Sequence, residues 1–312
     1  MTPPGEIIGR TYDRRMTSHV IAVDVGGTAM KGALVTRDGD VEAFEKRPTR
    51  RERGPEHVLN RLGDFAADLA AQAPVPPLAT GVAVPGLVDE KAGVASRAAN
   101  LGWRDAPISA MLGERLGIPV ALGHDVRAGG LAENVYGAGA HARNFLFLAI
   151  GTGIAGAMIL EGRPYGGACG HAGEAGHIPV RPDGEPCVCG RRGCLETYAS
   201  AASIVRRYGK GRLRTEDVLA RANQGDDHAK RVVNEAIEAL ATGLATCTLL
   251  LDPELIVIGG GLAGAGERLL DPLAKELAAR LSLREPPPIS RGALGIRASM
   301  LGAGILAWSV VE

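Results

Sequence analysis

The sequence predicts an α/β protein of two lobes, and three observations carry that prediction. Its 312 residues exceed what one simple core accommodates. Short β-branched runs alternate with stretches of helical periodicity along most of the chain. A strand, a glycine turn and a second strand occur once in each half, around Gly27 and again around Thr152.

A hydrophobic fraction of 46% with 44 glycines and a net charge of zero describes a turn-rich globular chain and argues against a disordered or fibrous one. Neutrality gives no electrostatic reason to bind nucleic acid. Two basic runs, Lys46 and Arg47 with Arg50, Arg51 and Arg53, and Arg206 and Arg207 with Lys210, Arg212 and Arg214, read as solvated surface.

Residues 1–17 lack periodicity and hold Pro3, Pro4 and Gly5, so a loose extension is expected, with Met16 an alternative start. Arg10, Arg14 and Arg15 precede an apolar stretch that Asp24 soon interrupts, which is no export signal and implies a cytoplasmic protein. The apolar segment 248–259 is broken by Asp252, Pro253 and Glu254, so no membrane span is expected.

Residues 19–25 form a β-branched run that ends beside Asp24, and the turn Gly26-Gly27-Thr28 leads to a second strand through Ala33, Leu34 and Val35. Val58, Leu59, Leu62, Phe65, Ala66 and Leu69 recur at helical spacing within 57–71. A strand over 80–84 then ends at Pro85-Gly86. A helix over 108–116, a strand over 118–122 and a helix over 125–136 follow. Strands over 144–150 and 154–160 flank Gly151-Thr152-Gly153. Helices are expected over 201–208, 215–222 and 228–251, then a buried strand over 255–258 running into Gly259-Gly260-Gly261, and helices over 269–281 and 302–311.

A glycine turn lets backbone amides approach a polyanion without side chains in the way. Either turn alone reads equally as an ordinary tight hairpin. Two of them, one beside an acid, together with a triple glycine at a strand end, outline a split nucleotide site. His177, Cys187, Cys189 and Cys194 offer one nitrogen and three sulfurs, the donor set of a closed, structural tetrahedral Zn²⁺ site in a reducing compartment. One residue separates Cys187 from Cys189, unlike the two of thioredoxin-type redox pairs. Cys169 and Cys247 lack evident partners and are expected to be inert packing residues.

The ordered set DVGGTAMK, VAVPGLVD, ANLGW, GHDV, GTGIAG, GEAGH with CVCGRRGCLE, and VIGGGLA resembles the ROK family of sugar kinases, open reading frames and repressors, from His19 onward. The resemblance implies a two-lobed ribonuclease H-like fold of the actin and hexokinase type, with ATP and sugar meeting in the cleft. The expected lobes are 18–128 plus 299–312, and 129–298 with the zinc loop 177–194.

By the same resemblance Asp125 is the base that takes the proton from a sugar 6-hydroxyl; the competing reading of Asp125 is an N-cap for the helix that follows. Asp24 sits near Mg²⁺; Gly26, Gly27, Thr28, Gly151, Thr152 and Gly153 cradle phosphates; Gly259, Gly260 and Gly261 lie against the nucleoside. Lys31 faces phosphate or is a solvated strand lysine. Asn100, Glu174, His177 and Glu196 hold sugar hydroxyls, Gly86 lets the ring approach the backbone, and zinc positions Glu174, His177 and Glu196 together, so that chelation weakens sugar binding before ATP binding.

Two positions depart from the pattern. His124 stands where the family's glucose kinases carry Asn, and Arg127 replaces a second Asn, so recognition of hydroxyls beside the reacting one is expected to differ; His124 is a sugar contact or a packed histidine. The implied activity is ATP-dependent phosphorylation of the 6-hydroxyl of glucose or N-acetylglucosamine by a homodimer or homotetramer. A catalytically silent sugar sensor and a sugar-responsive repressor are the alternatives, the latter needing a DNA-reading module for which the extension before the first strand is too short.

Overall fold

The computed structural model describes residues 17–209, 211 and 213–311. The expected loose extension, except for Thr17, and the basic residues Lys210 and Arg212 lie outside the described residues.

The chain opens on the hairpin of β1 (Val20–Val25) and β2 (Ala29–Val35) and continues through β3 (Val41–Pro48), α1 (Pro55–Gln72) and β4 (Thr80–Val84). Strands β5 (Leu87–Asp89), β6 (Val94–Ala98) and β7 (Trp103–Ala106) make a small antiparallel sheet. Then come α2 (Ile108–Leu116), β8 (Val120–His124) and α3 (Asp125–Tyr136). The first large sheet has the order β3-β2-β1-β4-β8, with β1 antiparallel to β2 and parallel to β4.

The second half repeats the plan with β9 (Phe145–Ile150), β10 (Ile154–Leu160) and β11 (Arg163–Tyr165). Helices α4 (Leu195–Ala199), α5 (Ala201–Tyr208), α6 (Thr215–Asn223) and α7 (Asp227–Leu251) lead to β12 (Leu255–Gly259), α8 (Glu267–Ala278), β13 (Ile289–Arg291) and α9 (Ala298–Trp308). Its sheet order is β11-β10-β9-β12-β13, again with the first strand antiparallel to its hairpin partner and parallel to a later strand. The two glycine turns noticed in the sequence are the matching corners of two sheets with one topology.

Side-chain alternation sorts the layers. Ile21, Val23 and Val25 pack with Val58, Leu62, Phe65 and Leu69 of α1, while Val20 and Ala22 pack with Ala128 and Ala132 of α3 and Ala303 and Ala307 of α9. In the second sheet Leu146, Leu148 and Ile150 face the helices α4–α8, and Phe145 and Phe147 face the α3 side. Helix α3 therefore lies between the sheets, with the expected lobe boundary at 128 inside it. Asp24 shares its face with Val20 and Ala22, the face on which α3 begins.

Element boundaries shift where tertiary pairing overrides pattern. The strand expected at 118–122 is Val120–His124, because β4 pairs with it from Thr80↔Val120 to Val84↔His124. The last helix begins four residues earlier than expected, at Ala298. Strand β3, with sequence VEAFEKRP and no fully buried residue, carries no alternating apolar signal and is held as an edge by β2.

Glu133 is 1% exposed in the middle of this assembly. Its carboxylate accepts from the amides of Ala138, Ala293 and Leu294, joining the end of α3 to the segment before α9. Truncating it removes three part-buried hydrogen bonds to a charged acceptor, each worth about 1.5–3 kcal/mol. Glu133→Ala is expected to cost about 3 kcal/mol or more in urea unfolding; a cost below about 1 kcal/mol would show the carboxylate to be dispensable.

Candidate active site

Asp24 lies at the C-terminal end of β1, Val84 and Gly86 at that of β4, and Asp125 immediately after β8, so neighbouring parallel strands deliver their last residues to one crevice. Asp24 is 5% exposed, and its Oδ2 accepts from Lys31 Nζ at 2.6 Å across the β1–β2 register. Burial raises its pKa above the ordinary carboxylate value; Lys31 opposes this and the charge of Asp125 reinforces it. Lys31 is thus neither a solvated strand lysine nor an uncommitted phosphate ligand.

Asp125 occupies the first turn of α3, and the N-cap is His124, which corrects the capping alternative. The Asp125 side chain is 26% exposed, with Oδ1 accepting from its own Val126 amide at 2.8 Å. Burial raises its pKa; the Val126 amide, Lys31 and Arg127 pull it back, and Glu174 pushes it up. His124 is 7% exposed and its Nδ1 accepts from the Arg127 amide at 3.4 Å. That bond leaves the proton on Nε2, 3.5 Å from Asp125 Oδ1. Burial and the charge of Arg127 lower its pKa to about 4, so the imidazole is neutral at pH 7.

Arg127 is 4% exposed and fully engaged: Nε and Nη2 donate to Glu90 Oε1 at 3.0 and 2.9 Å, and Nη1 donates to Gly170 O at 3.0 Å. Its guanidinium ties the end of β5 to the loop after β11. A cavity of about 460 Å³ opens beside it, lined by Glu90, Ser96, Arg127, Cys169 and His171 among others. Cys169 is exposed there and not a packing residue, whereas Cys247 is buried as expected.

In the first hairpin Gly26 N donates to Ala29 O at 3.1 Å, and among the described residues the amides of Gly27 and Thr28 have no backbone acceptor. The second hairpin matches it, with Gly151 N donating to Gly153 O at 2.9 Å and the Thr152 and Gly153 amides left over. Glu196 braces that hairpin: its Oε2 accepts from Ile154 N at 2.8 Å and lies against Gly153. Of the triple glycine, Gly259 abuts Phe147, and Gly260, at φ 77 with the Ile150 carbonyl against its Cα, admits no side chain; Gly261 faces open space. Gly86, at φ 94, is packed just as closely by the Arg97 carbonyl, so the fold itself requires glycine there.

His177 ends a 3-10 turn, Ala175–His177, and its two ring nitrogens point to different groups. Nδ1 lies 3.6 Å from Cys187 Sγ, and Nε2 3.9 Å from Glu174 Oε2. Cys189 and Cys194 sulfurs are 3.6 Å apart, and all four donor atoms fall within 4.8 Å of one another. A tetrahedron with metal–sulfur bonds of about 2.3 Å and metal–nitrogen bonds of about 2.0 Å has edges of about 3.5–3.8 Å, so the donor set fits Zn²⁺. Cys194 is the N-cap of α4, which carries Glu196 in its first turn.

The expected residues therefore separate into groups. Asp125 feels the charges of Lys31 and Glu174, Asp24 those of Lys31 and Asp125, and His124 that of Glu174, and Asn100 Nδ2 lies 3.4 Å from where a Cβ on Gly27 would sit. Glu196 is bonded to the second hairpin and Gly86 is covered by backbone. Glu90 was missed: it follows the VPGLVD motif directly, but its pairing spans 37 positions and leaves no local signal.

A model of the ROK family matches residues 20–309. The chain is 34% identical over 92% of its length to a glucokinase of Halalkalibacterium halodurans, 94% of which is covered. A ROK hexokinase from Thermus thermophilus superposes with a TM-score of 0.83 at 33% identity, covering 94% of this chain and 99% of that one. A ROK family glucokinase from Streptomyces griseus, solved in complex with glucose and AMPPNP, gives a TM-score of 0.81 at 30% identity, covering 94% and 100%. The two lobes thus have the fold of these kinases. Among the described residues no helix is long and apolar enough to cross a membrane.

Proposed function

The chain belongs to the ROK family, and from that premise we propose that it transfers the γ-phosphoryl group of ATP to the 6-hydroxyl of an aldohexose, glucose or its N-acetylated 2-amino analogue. The observation that carries this reading is the placing of Asp125, a half-buried carboxylate of raised pKa, in one crevice with a glycine hairpin whose amides are free to meet phosphate.

Asp125 accepts the hydroxyl proton as the oxygen attacks phosphorus. A carboxylate made more basic by burial suits that task better than an exposed one. Neutral His124, its Nε2 3.5 Å from Asp125 Oδ1, packs beside the base and so orients it. The amides of Gly27, Thr28, Thr152 and Gly153 meet phosphate oxygens, and Gly261 leaves room for the nucleoside. Asn100, Glu174 and the Nε2 of His177 hold ring hydroxyls. Glu196 braces the second hairpin through Oε2 and holds a ring hydroxyl with its other oxygen. Asp24 is the carboxylate beside which Mg²⁺ would travel with ATP, offsetting phosphate charge. Zn²⁺ on His177, Cys187, Cys189 and Cys194 would supply rigidity, with no open coordination position.

Arg127 withdraws protons from Asp125 by its charge, so its removal raises the Asp125 pKa further. The acid limb of kcat against pH is expected to move to higher pH in Arg127→Asn; an unmoved or lowered limb would contradict the electrostatic coupling.

Glucose is the first acceptor to test, because two of the three relatives quoted above are named glucokinase. The reading carries a cytoplasmic location, where ATP and reduced thiols coexist, and a homodimeric or homotetrameric assembly. Phosphorus-coupled proton NMR of the product tests the chemistry: coupling to the C6 protons is expected, and an ester at any other carbon would refute the assignment.

A further inference from the structure

The basic run before α1 reads in the sequence as solvated surface, and Arg47 behaves so, pairing with Glu45 and Asp68. Arg51 does not. After β3, Thr49 is fully buried and fastens the chain to the first glycine hairpin: its Oγ1 donates to Gly26 O at 2.5 Å and its amide to Thr28 O at 2.9 Å. Arg50 then adopts left-handed backbone, φ 56 and ψ 44, which is uncommon for a long side chain and clusters at functional sites. The turn this produces, Arg51–Arg53, brings a guanidinium back over the hairpin.

Arg51 Nη1 lies 3.7 Å from where a Cβ on Gly27 would sit, beside Asn100 Nδ2 at 3.4 Å from the same point. It donates to Asn100 O at 3.5 Å. Among the described residues no carboxylate forms an ion pair with it, whereas Lys31, the other cation of the hairpin, is held by Asp24 at 2.6 Å. A guanidinium with no carboxylate partner among the described residues thus stands between a residue of the phosphate hairpin and a residue of the sugar set.

We infer that Arg51 is a catalytic residue, its guanidinium neutralising charge on the phosphoryl group as it passes from ATP to the sugar. This rests on the sugar-kinase reading above. In the step, the sugar oxygen forms its bond to the γ-phosphorus and gives its proton to Asp125. The bond from that phosphorus to the β,γ-bridging oxygen breaks, and the electron pair leaves on ADP. Arg51 gains and loses no atom; it donates hydrogen bonds to the equatorial oxygens, where charge is concentrated in such transfers.

Arg51→Ala, Arg51→Lys and, as a control, Arg53→Ala are compared with the full-length wild type. Loss of one preorganised donor of this kind lowers kcat by about 10²- to 10³-fold. That loss is expected in Arg51→Ala, with sugar KM within about threefold, partial recovery in Arg51→Lys, and wild-type behaviour in Arg53→Ala. The readout that a merely structural role would not give is nucleotide affinity: AMPPNP is expected to bind at least about tenfold more weakly to Arg51→Ala while AMP binds as before, because the lost contact is to the terminal phosphate. A kcat within about threefold of wild type, or equal weakening of AMPPNP and AMP, overturns the assignment of Arg51. A wild type with no sugar-dependent turnover would instead remove the kinase reading beneath it.

Discussion

Asp125→Asn is expected to lower kcat by about 10²- to 10⁴-fold while sugar and nucleotide still bind. The substitution keeps size and shape, and the amide oxygen still accepts from the Val126 amide, so α3 starts as before. What disappears is the group able to take the hydroxyl proton. The environment of the carboxylate sets the pH at which it works. Burial is the largest influence and raises its pKa, so in the wild type the rate is lost on acidification at a pH above that of an ordinary aspartate. His124, whose pKa burial and the charge of Arg127 lower to about 4, is neutral at pH 7 and does not compete for the proton there. Asp125→Asn with kcat within a factor of about ten of wild type would mean that positioning alone performs the transfer.

Removing the Zn²⁺ proposed for the His177, Cys187, Cys189 and Cys194 cluster is the second large perturbation. The four donors come from a loop whose conformation depends on their meeting, and structural zinc sites contribute on the order of 10 kcal/mol to the segments they hold. Chelation is expected to raise the dissociation constant for sugar by at least about tenfold, because His177 Nε2 and Glu174 take their positions from the metal side of the ring. Nucleotide binding is expected to weaken less but measurably. Cys194 caps α4, α4 carries Glu196, and Glu196 holds the second glycine hairpin. This adds a contact to the second hairpin to the sugar-side role expected of Glu196 from sequence. Isothermal titration of sugar and of AMPPNP with zinc-bound and chelated protein separates the two effects; equal loss of both would show general unfolding instead of a local clip.

Much of this was legible because it is local in sequence. The strand, glycine turn and strand patterns place both hairpins, Asp24 and the β9–β10 corner within a few residues of their observed positions. The spacing in the cysteine loop anticipates the cluster of four donors that the structure brings together. What could not be read is what long-range pairing decides. Nothing near Arg127 reveals that each of its guanidinium nitrogens donates to Glu90 or Gly170. Nothing near Arg51 distinguishes it from Arg47, since the difference lies in Thr49 gripping Gly26. Gly86 and Gly260 were singled out for ligand approach, and the structure supplies a packing reason for each in the carbonyls of Arg97 and Ile150.

The central claim is that one cleft joins a sugar hydroxyl, Asp125 and ATP. ADP release by zinc-replete protein with Mg-ATP, measured across glucose, mannose, glucosamine, N-acetylglucosamine and N-acetylmannosamine beside the Asp125→Asn variant, tests it most directly. Release that depends on one of these sugars and collapses in the variant is the predicted result; folded wild type that releases no ADP with any of them would contradict it.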